Sequence, residues 1–296
     1  MTHSPTITVP SRLSAALSFW RRADPIQKLA ILVAVGLIGM ALFAPLLAPF
    51  EPNSQSLISR LRPPLGFERA KAGYLLGTDE LGRDVLSRSL YGLRLTLMLA
   101  VLGASLGLVI GGVLGLLAGI VGGRTEAAIM AAVDTQIAMP FTLIALFLLA
   151  ILGSSIEVIV LVLGLYGWEQ YARIVRAEVR RMMKMPFIEA ARAAGASPLR
   201  IAHHHLLPNI VSPIVVQFTL SLSNIVLLES TLSFLGLGVQ PPTATLGSMV
   251  GIGRDFMPTA PWIVMVPAVM ILLITFAVQI LGDWLRDGAD VRLRAR

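Results

Sequence analysis

Cysteine is absent from this 296-residue chain, which excludes disulfide bridges and thiolate metal sites at once. Charge is scarce as well: 14% of residues are charged and 55% are hydrophobic, where a soluble domain carries about a quarter charged residues. So much apolar surface cannot be hidden in one globular core, and lipid is the expected solvent. The only lysines are Lys28, Lys71 and Lys184, and none follows a glycine. A nucleotide-binding P-loop needs Gly-Lys-Ser/Thr and is therefore excluded. An HExxH motif is missing too, and no histidine falls within a long apolar run. The net charge of +7 does not point to nucleic acid, because the basic residues form no stripe with interleaved aromatics. They sit between the apolar runs, as membrane topology predicts.

A spanning helix needs about 20 mostly apolar residues. Six segments qualify: 29–49, 95–121, 127–152, 156–174, 209–235 and 262–281. The second is rich in glycine, which suits close helix packing in lipid. The third contains Asp134 and Pro140, and the proline is expected to kink it. The fifth contains Glu229. The first run follows a polar stretch with Arg12, Arg21, Arg22 and Lys28, is too long for a signal peptide, and leads into Pro-rich sequence. It is expected to remain as a first span. With the N-terminus placed in the cytoplasm, the inner segments hold two thirds of the 24 basic residues, which favours both termini inside. The chain thus reads as an all-α polytopic membrane protein of about six spans. Its parts are a cytoplasmic segment 1–28, a first span 29–49, an extracytoplasmic loop 50–94, a transmembrane core 95–285 and a cytoplasmic tail 286–296.

Two connections stand out. In the outer loop the first half is Pro-rich and irregular, and the second half, Gly77 to Leu93, reads as a helix. Thr78 can cap it, and Asp79 and Glu80 suit its positive end. The inner loop, 176–208, contains Glu189-Ala190-Ala191-Arg192-Ala193-Ala194-Gly195-Ala196-Ser197-Pro198. Pro186 can open a short helix, with Glu189 near its positive end. The alanines make that helix thin enough for close approach by another protein. Gly195 can end it in a left-handed conformation, and Ser197 and Pro198 read as cap and first residue of a second helix. The physics leaves two readings open, a docking corner or an ordinary connecting loop.

The inner segment resembles the EAA loop of binding-protein-dependent ABC importer permeases. That pattern is Glu-Ala-Ala, three residues, Gly, nine residues, Ile, one residue and Leu-Pro, and here Glu189, Ala190, Ala191, Gly195, Leu207 and Pro208 fill it, with His205 in place of the isoleucine. The ending His205-Leu206-Leu207-Pro208-Asn209 is similar to that of the peptide-transporter branch. Leu76-Gly77-Thr78-Asp79-Glu80-Leu81-Gly82-Arg83-Asp84-Val85-Leu86-Ser87-Arg88 resembles the outer-loop signature of the C-type dipeptide and oligopeptide permeases. The stretches from Leu232 to Pro242 and from Gly282 to Asp287 are similar to later segments of that family, although Val291 follows Asp290 where a proline is usual.

The resemblance implies the type I ABC importer permease fold in a bacterial inner membrane. It implies four kinds of partner: a homologous permease, two ATPase subunits that hold ATP and magnesium, an extracytoplasmic substrate-binding protein, and the bilayer. The chain itself would be no enzyme and bind no cofactor or metal. The expected cargo is a di- or oligopeptide, and relatives of the branch carry nickel, glutathione, opines or sugars. Coupling to the ATPases falls to Glu189, Ala190, Ala191, Gly195, Ser197, Pro198, Leu207 and Pro208. An extracytoplasmic interface falls to Gly77, Thr78, Asp79, Gly82, Arg83 and Asp84.

Other residues invite functional readings of their own. Asp134 and Glu229 lie in expected spans, where a carboxylate costs a few kcal/mol and faces protein or water. They either line the path or bond neighbouring helices. Were they proton carriers, the chain would be a proton-coupled transporter instead. Glu169 has an obvious partner in Arg173, one turn on. Gly103-Ala104-Ser105-Leu106-Gly107 looks weakly like a nucleophile elbow, but it lies in a glycine-rich span with no histidine near in sequence. His203, His204 and His205 point about 100° apart on a helix, so they cannot share one metal ion.

Overall fold

The computed structural model describes residues 24–294, with side chains through Asp287. Arg12, Arg21 and Arg22 of the expected cytoplasmic segment, and the side chains of Arg292, Arg294 and Arg296 of the tail, lie outside the described residues. Within them are twelve α-helices, and the only β feature is an isolated bridge between Thr78 and Asp84. Five helical stretches are long and apolar enough to cross a bilayer: Pro25–Leu42, Val85–Val121, Ile156–Met182, Pro198–Phe234 and Trp262–Asp287. A bent pair, Gly123–Ala138 with Phe141–Leu152, makes a sixth when counted as one span.

Helix α1 (Pro25–Leu42) starts four residues before the expected span, because Asp24 and Gln27 form a reciprocal cap and Pro25 occupies the first turn. A short α2 (Ala44–Leu47) follows. Helix α3 (Val85–Val121) is one unbroken rod of 37 residues. Its start corrects the expectation of a separate helix from Gly77 capped by Thr78. The cap is Asp84, whose Oδ2 accepts from the Ser87 N–H at 2.8 Å and the Ser87 hydroxyl at 2.6 Å. Residues 77–84 are instead a tight loop. Gly77 (φ +79°) and Gly82 (φ +72°) turn it, and Asp79 Oδ1 accepts from the Leu81 and Arg83 N–H groups.

The third span is broken rather than kinked. Helices α4 (Gly123–Ala138) and α5 (Phe141–Leu152) meet at 89° around Met139 and Pro140. Met139 is extended (φ −106°, ψ 137°), as a residue before proline prefers, so the helix ends there outright. Helix α6 (Ile156–Gly164) leads through Gly167 (φ +83°) into α7 (Trp168–Met182), which continues past the expected boundary at 174. Beyond lie the short α8 (Pro186–Ala193) and α9 (Pro198–Ile201), then α10 (Leu207–Phe234), α11 (Leu246–Gly253) and α12 (Trp262–Arg294).

The closest helix contact joins α3 to α6 and α7 along Gly103, Gly107, Gly111, Gly115 and Gly119, all buried. Residues four apart share one helix face. A Cβ added at Gly103 would lie 2.8 Å from Leu163 Cβ; at Gly115, 2.7 Å from the Ala172 carbonyl oxygen; at Gly119, 2.5 Å from Val179 Cγ1. At Gly111 it would collide with the Trp168 carbonyl oxygen. Numbers rise together along both partners, so α3 and α6–α7 are parallel. Val121 and Met182 therefore lie at one end of the molecule. The 43–84 loop lies at the other end, where the Trp262 indole N–H donates to the Thr78 carbonyl (3.0 Å) and the Leu246 N–H to the Thr96 hydroxyl (3.1 Å). Between the ends, Leu99, Leu163, Ile225 and Ile274 belong to the main apolar core.

Gly111→Ala drives a methyl group into the Trp168 carbonyl, and overpacking of this kind costs about 1–3 kcal/mol. The neighbouring Gly112 faces open space, with only Leu108 Cδ1 at 3.9 Å. Thermal unfolding of the purified protein in mild detergent is expected to show a lowered midpoint for Gly111→Ala and an unchanged or slightly raised one for Gly112→Ala. Equal midpoints would remove the glycine stripe as the packing determinant.

Candidate functional site

At the Met182 end the chain makes the helix, corner and helix that its local signals specify. Pro186 opens α8, and Glu189 sits in its first turn. Gly195 (φ +81°) terminates it: the Gly195 N–H donates to the Arg192 carbonyl (2.9 Å) and the Ala196 N–H to the Ala191 carbonyl (3.0 Å), a Schellman closure. A Cβ at Gly195 would meet nothing within 4 Å, so the backbone conformation alone demands glycine there. Ser197 then caps α9, its hydroxyl accepting from the Arg200 N–H at 3.3 Å, with Pro198 as first residue.

This corner has a buried foot and an open face. Ile188 (0% exposed) and Ile201 (3%) pack with Val175, Val179, Met182, Leu206 and Ile210. Glu189, Ala190, Arg192, Ala193, Ala194, Gly195, Ser197 and Pro198 are exposed, as are Phe187 and Leu199 (80%). Ala191 is half-buried. The surface that remains combines small residues with two projecting apolar side chains. Below it, Glu126 of α4 joins Arg176 (2.6 Å) and Arg180 (3.5 Å) of α7.

Residues 202–206, including the three histidines, form one π turn between α9 and α10. Pro208 explains it: proline has no N–H to donate and clashes with the carbonyl four residues back, so the helix widens before it. The Leu207 N–H donates to the Ala202 carbonyl, five residues back, and the Asn209 amide donates to the His205 carbonyl at 2.8 Å. Leu207 and Pro208 thus begin α10 at the edge of the corner.

The residues expected at an extracytoplasmic interface are bonded and buried within the chain. Thr78, Asp79, Arg83 and Asp84 are 0–5% exposed, and Arg88 is 3% exposed. Arg83 pairs with Asp79 (2.6 Å) and Glu80, while Arg88 pairs with Asp79 (3.4 Å) and bonds to Pro52 and Asn53. The Thr78 hydroxyl donates to the Ser59 carbonyl (2.5 Å) and accepts from the Arg62 N–H (2.8 Å). A Cβ at Gly77 would lie 2.5 Å from the Arg62 carbonyl oxygen, and one at Gly82 would collide with that of Ser56. Gly77, Thr78, Asp79 and Gly82 stitch the returning loop 56–62 to the start of α3, and the side chains of Arg83 and Asp84 bond within the turn and to Ser87.

The acids of the apolar runs divide. Asp134 is exposed and bonded to Arg173 at 2.7 Å. That corrects the pairing expected between Glu169 and Arg173. Glu169 lies on the buried face of α7 and accepts from the Gln136 amide at 3.1 Å, whereas Arg173 turns outward. Gln136 also donates to the Leu165 carbonyl (2.7 Å) and accepts from the Trp168 indole (2.6 Å), tying α4 across the break between α6 and α7. Glu229 is buried within the chain, accepting from Ser233 (2.7 Å), which itself lies 3.4 Å from the Thr245 cap of α11. A further amide bridge, Gln217 to Gln170 at 2.6 Å, links α10 to α7. The glutamines were missed by sequence reasoning directed at charge, yet an amide in an apolar run carries the same need for a partner.

Residues 111–291 match the family described as binding-protein-dependent transport system inner membrane component. The di/tripeptide transport system permease protein DppC of Pseudomonas aeruginosa is 38% identical over 254 residues, covering 86% of this chain and 84% of the relative. The dipeptide transport system permease protein DppC of Escherichia coli K12 is 40% identical over 298 residues, covering 99% of each chain. Among solved structures, a chain of the MetNI methionine ABC transporter in an inward-facing conformation has a similar fold, with a TM-score of 0.50 and 23% identity over 68% of this chain and 95% of that one.

Asp79 faces two buried guanidinium groups, and removing one partner of a buried pair costs about 3–5 kcal/mol. Asp79→Ala is expected to lower the thermal midpoint of the purified protein and its yield in the membrane. Glu51→Ala, an exposed acid of the same loop, is expected to leave both unchanged. A wild-type midpoint for Asp79→Ala would show that the outer network does not hold the loop.

Proposed function

Because the chain belongs to the binding-protein-dependent transport system inner membrane components, we propose that it is the permease subunit of an ATP-driven importer of di- or oligopeptides, forming the translocation path with a homologous permease. The relatives named for dipeptide and di/tripeptide transport support the cargo, at 38–40% identity over most of the chain. The observation that carries the mechanism is the corner at Gly195: small exposed residues on a rigid, anchored foot, at the end of the molecule away from the 43–84 loop. Such a surface suits a groove on another protein.

In this reading the corner seats in an ATPase subunit that holds ATP and magnesium, one such subunit under each permease. The 43–84 end faces an extracytoplasmic binding protein. Ile188 and Ile201 couple the corner to α7 and α10, so a displacement of the seated corner passes into two spanning helices. The glycine-packed α3 moves with α7. Asp134 and Arg173 then form an inter-helix bond at an exposed position. Glu229 bonds Ser233 within α10, and the Ser233 hydroxyl in turn meets the Thr245 cap of α11.

Gly195→Val tests the coupling. A side chain in the left-handed conformation is penalised by roughly 1–2 kcal/mol, and a β-branched one by more. The substitution meets no steric clash, so insertion of the protein is expected to be normal. Stimulation of ATP hydrolysis by loaded binding protein is expected to fall together with uptake in the reconstituted complex. Glu189→Lys acts in the same direction by placing positive charge at the positive end of α8. Wild-type stimulation in both variants would overturn the assignment of this corner.

Sidedness has its own test. Ser197 and Ser54 are exposed at opposite ends of the molecule. On intact spheroplasts an impermeant maleimide is expected to label Ser54→Cys and spare Ser197→Cys. The reverse pattern would turn the molecule over in the membrane.

A further inference from the structure

Arg94 is an exposed cation on α3 that makes no hydrogen bond or ion pair with any of the described residues. Beside it, α1, α3, α10 and α12 leave a groove of about 510 Å³. Ala34, Ile38, Val101, Val226 and Ile274 are among its walls, and Arg94 is the one charged residue lining it. On its other side Arg94 borders a hollow of about 300 Å³ edged by Arg88, Tyr91, Asn53 and Thr243. The two spaces share a guanidinium, with a mixed mouth carrying Asn53, Tyr91 and Thr243 toward the 43–84 loop and an apolar floor toward the middle of the helices.

The dimensions match half a bilayer. From Arg94 to Leu102 the groove follows α3 for about 12 Å, at 1.5 Å per residue. One leaflet's share of the hydrocarbon core is about 15 Å. An unpaired ionisable group on a spanning helix marks a site whose partner comes from elsewhere. Guanidinium groups take phosphate through paired charge-assisted hydrogen bonds, and basic pockets between spanning helices hold anionic headgroups. Arg88 at the edge of the smaller space is held by Asp79, so the unpaired charge facing both spaces is that of Arg94, with no acid in either lining, which favours a net negative headgroup over a zwitterionic one.

We propose that this groove holds an acyl chain of an anionic phospholipid from the leaflet on the side of the 43–84 loop, with its phosphate on Arg94. The lipid fills the space between the first span and the core, so α1 is joined to the rest of the molecule partly through it.

The test uses the complex assembled from this chain and its partner subunits, purified in mild detergent with equal phosphatidylglycerol and phosphatidylethanolamine added. Retained lipid is quantified by mass spectrometry after washing. The wild type is expected to keep phosphatidylglycerol in at least threefold preference. Arg94→Gln is expected to abolish the preference and Arg94→Lys to keep part of it. Val101→Trp leaves the guanidinium in place but fills the groove, and is expected to lose retained lipid. Equal retention of both lipids by the wild type, or wild-type preference in Arg94→Gln, would overturn the proposal. So would a benzophenone at position 101 that crosslinks to a partner protein and not to lipid. A raised KM for cargo in Arg94→Gln with unchanged lipid retention would assign the arginine to cargo instead.

Discussion

Between helices in lipid there is no hydrophobic effect to draw them together, so close van der Waals approach must do it. Here that approach rests on Gly103, Gly107, Gly111, Gly115 and Gly119, which let the backbone of α6–α7 lie directly on α3. Parallel packing follows, and with it the need for a crossover. The chain leaves α3 at Gly122 and must return to the far side before α6 can start. It does so through the bent α4–α5 pair, which turns by 89° at Met139 and Pro140. The corner at Gly195 then emerges at the α3 C-terminal end because α7 runs the same way as α3.

What was legible in the sequence was what local chemistry decides. Pro186, Gly195, Ser197 and Pro198 each act on the backbone within a few residues, and the corner they specify is the corner that forms. Apolar run length located the spans for the same reason. What was not legible depends on the chain's return from elsewhere. Thr78 is a good cap in isolation, yet its hydroxyl is engaged by Ser59 and Arg62, and the helix begins seven residues later at Val85. Glu169 and Arg173 sit one turn apart, but Glu169 is buried and bonded to Gln136 while Arg173 is exposed and bonded to Asp134. Hydropathy also carries no direction, so a break of 89° inside an apolar run looks the same as a straight span. The role of the site residues follows the same division: the corner's shape was readable, while the burial of Asp79, Arg83 and Asp84 depends on the fold of the whole outer loop.

The two ends of the molecule use charge in opposite ways. At the loop end, carboxylates and guanidinium groups are removed from water and bonded to one another, an arrangement that tolerates little rearrangement because a buried charge without a partner is costly. At the corner end the ion pairs of Glu126, Arg176 and Arg180 are partly solvated, where pairs are worth little and can be exchanged. One end is bonded tightly within itself, while the other leaves its charges partly in water and its small residues exposed.

Helix α3 carries a mechanical consequence of its length. Thirty-seven residues without a break make a strut of about 55 Å, nearly twice the hydrocarbon thickness of about 30 Å. Its foot is fastened along the glycines to α7, beside the corner, and its head is locked into the stitched outer loop. A strut of that length has leverage: pivoting it by about 10° sweeps its far tip by roughly 10 Å. A displacement at one membrane face would reach the other through a single element with no joint between.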